Sequence, residues 1–369
     1  MKILLMCHNL TGGGAERVCT SWANGLARLG HDVAILADLQ TETMYPVDSH
    51  VRLIQLRQTT SSNRIVRRVQ RFAFMFRQIR ELCQSEQYDA IVNVLFFNWL
   101  ELRFATWSLR RRIPIVMTDH NACELPPYVP MPMASKMKKF VWSRLFDHVT
   151  VLTHADLEVM QRKGVKRVSV LHNPLFLTPS AESIPQKEKV VLAVGRLDIW
   201  HCKGFDLLVE AWNNVAPLHP DWRLKIVGKG SEKSLTLLKS LSLHPETIEF
   251  VPFTPHPEAL YEQASIYVLS SRYEGWGLVM VEAMSRGCAT VACDHKGRQA
   301  EVITDGETGL LCPTNDAAAI ADRINRLIEN PELRLQLQQA ATQRAQCFSQ
   351  ELTAQRLAAL IGSLTTNAK

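Results

Sequence analysis

Short apolar runs with β propensity recur along the chain, and each ends in a glycine-rich or polar loop that opens a helix. Residues 2–7 run into His8, Asn9 and the glycines Gly12, Gly13 and Gly14, after which helical periodicity continues to about residue 29. Residues 190–194 end in Gly195, Arg196, Leu197 and Asp198, ahead of Lys203, Gly204 and a helix beginning at Phe205. Residues 223–227 pass through Gly228, Lys229 and Gly230 into a helix near Ser231, and 264–271 lead through Glu274, Gly275, Trp276 and Gly277 into another. Further strands are expected at 33–37, 90–95, 113–118, 148–152, 168–171, 248–250, 289–292 and 309–312. This alternation builds parallel sheets with helices on their faces, so the expected class is α/β and doubly wound. In such sheets ligands bind outside the carboxyl ends of the strands, which is where these loops lie.

At 369 residues the chain is too long for one ordinary core and suits two domains of similar size. The stretch 178–189, with two prolines, serine, threonine and mixed charge, reads as the linker, giving one domain over 1–178 and a second over 188–350. A hydrophobic content of 46% with 21% charged residues fits a globular protein and excludes a bundle of membrane spans. The apolar run at residues 3–6 is too short for a signal-peptide core, and a cytoplasmic location is expected. Nine cysteines occur without a Cys-x-x-Cys pair or a nearby histidine set, so neither a disulfide framework nor a zinc site is expected.

Residues 272–287 carry the densest chemistry. Gly275 and Gly277 leave the backbone open to close approach, and the amides at the helix start suit an anion such as phosphate. Glu274 stands in the loop and Glu282 lies more than a turn inside the helix, so the pair is able to grip different parts of one ligand. The Gly12–Gly13–Gly14 loop is neither the Gly-x-Gly-x-x-Gly dinucleotide fingerprint nor a P-loop, which argues against redox chemistry.

The run Glu-Gly-Trp-Gly-Leu from Glu274 to Leu278, followed by Glu282-Ala-Met, resembles the nucleotide-sugar signature of retaining glycosyltransferases of family 4, with its glutamates spaced Glu-x7-Glu. The resemblance spans nearly the whole chain and implies a GT-B fold, two Rossmann-like domains facing a cleft, with a final helix at 351–369 packing back toward the first domain. Gly13 and Gly14 match the family's glycine loop facing the donor, and His120, in Thr118-Asp119-His120-Asn121, matches a histidine that contacts the donor sugar. Asn173 then belongs at the domain junction. Gly195 with Arg196, and Lys203 with Gly204, match the phosphate clamp, although the usual Arg-to-Lys spacing is shorter by two residues. Gly228 corresponds to the turn beside the nucleotide, and Phe253 to the segment bordering the base. Glu274 would hold the sugar hydroxyls and Glu282 the ribose, while Gly275, Trp276, Gly277 and Leu278 complete the donor loop. The implied reaction transfers a sugar from a nucleoside diphosphate, UDP preferred, with retention and by front-face displacement. No Asp-x-Asp is present and Asp156 and Glu158 sit in an expected helix, so neither a metal nor another cofactor is expected.

The formal net charge of +6 points to an anionic partner. Residues 64–83 read as an amphipathic helix with Ile65, Val69, Phe72, Phe76, Ile79 and Cys83 on one face and Arg64, Arg67, Arg68, Arg71, Arg77 and Arg80 around the rest. It reads either as a core helix with a solvated basic back or as an interfacial helix at an anionic membrane surface. Lys136, Lys138, Lys139, Phe140, Trp142 and Arg144 form a second basic and aromatic stretch. No nucleic-acid module accompanies the charge. The expected acceptor is a lipid-linked saccharide of bacterial surface-glycan or lipopolysaccharide synthesis, handled at the inner face of the plasma membrane. A GT-B nucleotide-sugar epimerase and a nonenzymatic nucleotide-sugar-binding protein are the competing readings.

Overall fold

A computed structural model describes the chain apart from residues 41–42, 58–61, 178–183, 185 and 367–369 and the side chains of Arg64 and Ile65. It divides into two compact units, Met1–Pro174 with Gln350–Lys369, and Leu175–Ser349.

The first unit runs β1 (Lys2–Asn9), α1 (Gly14–Arg28), β2 (Asp32–Asp38), β3 (Val51–Gln55), α2 (Arg64–Glu86), β4 (Ala90–Val94), α3 (Trp99–Trp107), β5 (Ile115–Thr118), α4 (Met133–Phe140), β6 (His148–Val151), α5 (His154–Arg162) and β7 (Val168–Val170). Its parallel sheet has the order β3-β2-β1-β4-β5-β6-β7. β1 is central and covered on both faces, so Ile3, Leu4, Leu5, Met6 and Cys7 are all buried, and the sequence shows an unbroken apolar run in place of alternation.

The second unit runs β8 (Glu188–Val194), α6 (Trp200–Lys203), α7 (Phe205–Val215), β9 (Arg223–Gly228), α8 (Glu232–Ser240), β10 (Ile248–Pro252), α9 (Glu258–Gln263), β11 (Ala264–Leu269), α10 (Leu278–Ser285), β12 (Ala289–Asp294), β13 (Leu310–Pro313), α11 (Ala317–Glu329) and α12 (Pro331–Gln346). Its sheet has the order β10-β9-β8-β11-β12-β13, again parallel throughout. Trp212, Leu208, Ile226, Ile266, Ile324 and Leu337 are the centre of its core. α13 (Gln350–Thr366) belongs to the first unit and lies on α1. The approach is close: a β-carbon on Gly25 would stand 2.6 Å from that of Ala354, so only glycine fits there.

Several sequence expectations need correction. β8 starts at Glu188, so the end of the proposed 178–189 linker is strand, while 178–183 and 185 lie outside the described residues. β3, α3 and α4 have no counterpart in the expected elements, and the final helix, expected from residue 351, begins at Gln350 after a turn at 347–349. α2 buries Met75, Ile79 and Cys83, but its earlier turns are flanked by α3, where Phe72 meets Phe104 edge-on at 6.2 Å. Val69 is therefore 65% exposed, not on a buried face, and the Ile65 side chain lies outside the described residues.

Candidate functional site

In the second unit, β8 and β11 are sheet neighbours, yet β9 and β10 intervene in the chain, so the sheet changes its direction of growth between them. Their carboxyl ends carry Gly195, Arg196 and Lys203 on one side and the segment 270–277 on the other. Lys203 Nζ and Glu274 Oε2 meet at 2.5 Å, both mostly buried. Burial alone would lower the Lys203 pKa, but the Glu274 charge and hydrogen bond outweigh it and raise it above the usual lysine value. Arg196 is exposed and makes no such contact among the described residues, so the two cations expected in the clamp are not held alike.

A brace that the sequence reading missed sets this geometry. Arg272 is 8% exposed and forks onto Asp206 through Nη1 to Oδ1 and Nη2 to Oδ2, both 2.7 Å. Its Nη1 also donates to the His201 carbonyl at 2.7 Å, its Nε to Asn315 Oδ1 at 2.8 Å, and its backbone amide to the Cys202 carbonyl at 2.9 Å. The residues just before Lys203 are thereby fastened to the residue two before Glu274. Ser270 Oγ adds a bond to the Lys203 carbonyl at 2.9 Å. Gly204 follows with φ +65° and packs so tightly that a β-carbon would overlap the Ser270 carbonyl, which explains Lys-Gly at this point.

Gly277 caps α10, whose first intrahelical bond is Met280 N to the Gly277 carbonyl at 2.9 Å. The Trp276 ring is turned into the core, 2% exposed and edge-on to Phe348 at 5.1 Å, so it presents no face to a ligand. Leu278 is half-buried. Glu282 is buried and accepts the Tyr261 hydroxyl at 3.0 Å. Gly228 ends β9 against the Gly195 carbonyl, and Phe253 follows β10 with 52% of its surface exposed. The α8 start is already occupied: Asp198 Oδ1 accepts Ser231 N at 2.7 Å, Ser231 Oγ at 2.7 Å and Ser234 Oγ at 3.0 Å, and these bonds lower its pKa.

In the first unit, His120 follows β5. Its Nδ1 lies 2.7 Å from Asn173 Oδ1 and its Nε2 2.9 Å from Thr118 Oγ1, a pattern in which Nδ1–H donates and Nε2 accepts. Burial lowers its pKa despite the opposing Asn173 bond and Asp119 charge, so the ring is neutral at pH 7. Trp22 of α1 lies 5.5 Å from it, ring centre to ring centre. In the glycine loop, Gly13 N donates to Tyr45 Oη at 3.3 Å and the Gly13 carbonyl receives Arg17 N, so these amides are not all bare; Gly14 opens α1. Lys139 is not a surface charge as its neighbours imply: it is buried and pairs with Asp119 at 2.8 Å. Trp142 stacks on Trp99 at 4.5 Å.

Among the described residues no group of three His, Cys, Asp or Glu side chains is arranged to hold a metal. Asp156 is taken up by Cys123 N at 2.7 Å and Thr153 Oγ1 at 2.8 Å.

The model of "Glycosyltransferase Family 4" matches residues 12–177, and that of "Glycosyl transferases group 1" matches 178–344. A Campylobacter jejuni α-1,4-N-acetyl-D-galactosaminyltransferase named for an undecaprenol-diphosphate-linked substrate is 26% identical, over 94% of each chain. A D-inositol 3-phosphate glycosyltransferase of Corynebacterium efficiens is 32% identical over 76% of this chain and 72% of its own. Among solved structures, Anabaena Alr3699/HepE with UDP-glucose superposes with a TM-score of 0.77 at 19% identity, covering 98% of this chain and all of that one (100%).

Proposed function

The chain belongs to the family 4 glycosyltransferases of GT-B fold, and from that premise we propose that it moves a hexose or N-acetylhexosamine, with retention, from a nucleoside diphosphate sugar to a lipid-linked saccharide. UDP is the preferred nucleotide, in keeping with the UDP-glucose held by the Anabaena neighbour. The acceptor class follows the lipid-linked saccharide in the name of the Campylobacter relative. The observation that carries the reading is the Lys203–Glu274 contact at the ends of β8 and β11, a cation and a carboxylate held beside the start of α10.

In this reading the arriving diphosphate competes with Glu274 for Lys203. That releases the carboxylate toward the sugar hydroxyls while Lys203, Arg196 and the α10 amides take the charge of the leaving group. Glu282, held by Tyr261, addresses the ribose. His120, neutral and aligned by Asn173, addresses the sugar near the reacting carbon. No side chain here is assigned as a nucleophile, which favours front-face displacement without a divalent metal.

Incubation with radiolabelled sugar nucleotides and bacterial lipid extract tests the assignment. Label passing into lipid supports it. Conversion of the free donor alone would instead mark an epimerase, and binding without chemistry a nonenzymatic binder.

No helix among the described residues is long and apolar enough to cross a membrane. Contact with the anionic inner face of the plasma membrane is proposed through α2 and α3, where exposed Val66, Val69, Phe104 and Trp107 accompany Arg67 and Arg68. Vesicles containing phosphatidylglycerol should sediment the protein, and Val69→Asp with Trp107→Asp should weaken that binding about tenfold. Equal sedimentation with neutral vesicles would refute it.

A further inference from the structure

We infer that the first unit holds a second anion site, at the carboxyl ends of β1 and β4, built for a diphosphate carried on an apolar chain. The inference rests on the lipid-linked acceptor proposed above and gives that acceptor's phosphates a place.

β1 and β4 are sheet neighbours although β2 and β3 intervene in the chain, which makes their ends the open crevice of this sheet. A cavity of about 360 Å³ lies there, entered by His8 from β1, Asn98 from the turn after β4, and Arg57, Arg67, Arg68 and Arg71. The His8 ring stacks on Phe97 at 5.4 Å, tying the two strand ends together. Asp38 is the one acid lining the cavity among the described residues. Arg57 is engaged by Glu81 at 2.6 Å and Arg71 by Asn98 Oδ1 at 3.2 Å. Arg67 and Arg68 have no acidic partner among the described residues, and a guanidinium's planar fork suits paired contacts with phosphate oxygens.

The turn that presents Asn98 has an unusual backbone. Leu95, Phe96 and Asn98 all have φ between 44° and 57°, a left-handed conformation that non-glycine residues seldom hold. It is fixed by Asn93 Nδ2 to the Phe97 carbonyl at 2.6 Å and by Leu95 N to the Thr118 carbonyl at 2.9 Å. The outcome is an Asn98 Nδ2 that is buried and has no hydrogen-bond acceptor among the described residues, on the wall of a basic cavity. A phosphate oxygen would supply that acceptor. Leu56, Met75 and Phe97 give the same cavity an apolar wall, which suits the first part of a hydrocarbon chain next to the charge.

The test is calorimetry on the full chain with geranyl diphosphate, with saturating UDP present to fill the donor site. Binding should persist under UDP, exceed that of inorganic pyrophosphate, and exceed that of dihexanoylphosphatidylglycerol at least tenfold. Arg67→Gln with Arg71→Gln should weaken geranyl diphosphate at least tenfold while leaving UDP affinity within twofold, which also shows that the variant is folded. Displacement by UDP, unchanged affinity in the double variant, or equal binding of the phosphatidylglycerol would each overturn the site. Loss of UDP binding by the wild-type chain would instead count against the donor reading, so the two failures are told apart.

Discussion

The crevice at β8 and β11 and the crevice at β1 and β4 occupy the same topological position in two similar sheets, but they are built on opposite plans. In the second unit most of the charged groups are held by partners, Lys203 on Glu274, Arg272 on Asp206 and Asp198 on Ser231, with Arg196 left exposed. In the first unit the arginines are exposed, and two of them have no acidic partner among the described residues. A closed network fixes positions in advance and suits chemistry that must be aligned to fractions of an ångström. An open set of like charges attracts an anion from a distance without dictating its pose. One chain would thus combine the exacting donor site proposed above with the more accommodating acceptor site inferred for the first unit.

The brace around Arg272 is where the comparison breaks most severely if it is wrong. Arg272→Ala leaves Asp206 without its guanidinium, a loss of about 3–5 kcal/mol for a largely buried ion pair. It should lower turnover about a hundredfold through misplacement of Lys203. Arg272→Lys should not rescue, because an ammonium cannot reproduce the fork. Thermal unfolding and single-turnover transfer measure both, and wild-type turnover in Arg272→Ala would show that the network does not align the site.

Glu282→Ala should act next most strongly and on binding. It removes a charge-assisted hydrogen bond worth about 1.5–3 kcal/mol, so calorimetric donor affinity should fall by one to two orders of magnitude while Glu274→Ala mainly lowers turnover. Equal donor affinity in wild type and Glu282→Ala would remove the ribose assignment.

The pH dependence of His120 comes next. Its folded pKa lies below the ordinary 6.5, so between the two values the unfolded chain binds more protons, and the stability conferred by the neutral ring is complete above pH 6.5 and falls as the pH drops through the folded pKa. An NMR titration should place its midpoint below 6.5, with the acid limb of activity following it; a midpoint above 6.5 would contradict the buried, neutral ring. The smallest effect is expected from chelation: full activity should survive EDTA, and Arg196→Ala should cost more than the chelator does. Abolition by EDTA with recovery on magnesium or manganese would require a cation that the proposed clamp omits.

What the sequence displayed was local. Apolar runs marked the central strands because β1 is buried from Ile3 to Cys7 and β11 throughout, and the helix expected around Asp156 and Glu158 is α5, capped by Thr153, which accepts Asp156 N. β3 escaped notice because, at the sheet edge, only its Val51 is fully buried while Arg52 and Gln55 face solvent. The residues now flanking the donor loop were visible as letters but not as partners: Arg272 and Asp206 are 66 positions apart, and Ser231 and Asp198 are 33 apart. Lys139 misled for the same reason, since its counter-ion Asp119 lies on a different element. Periodicity reports which face of an element is buried, but not which distant group answers a charge.

α13 has a consequence for how the protein is made. Gln350 Nε2 donates to the Ser21 carbonyl at 3.0 Å and Arg28 donates to Gln350 Oε1 at 2.7 Å, while Ala354 fills the space beside Gly25. α1 therefore waits for α13, which follows it in the chain only after the whole second unit, before its outer face is covered. During vectorial synthesis the second unit, contiguous from Leu175 to Ser349, is complete before the first. A nascent chain stalled before Gln350 would carry a finished second unit and an unclosed first one, with the Ser21, Gly25 and Arg28 side of α1 uncovered.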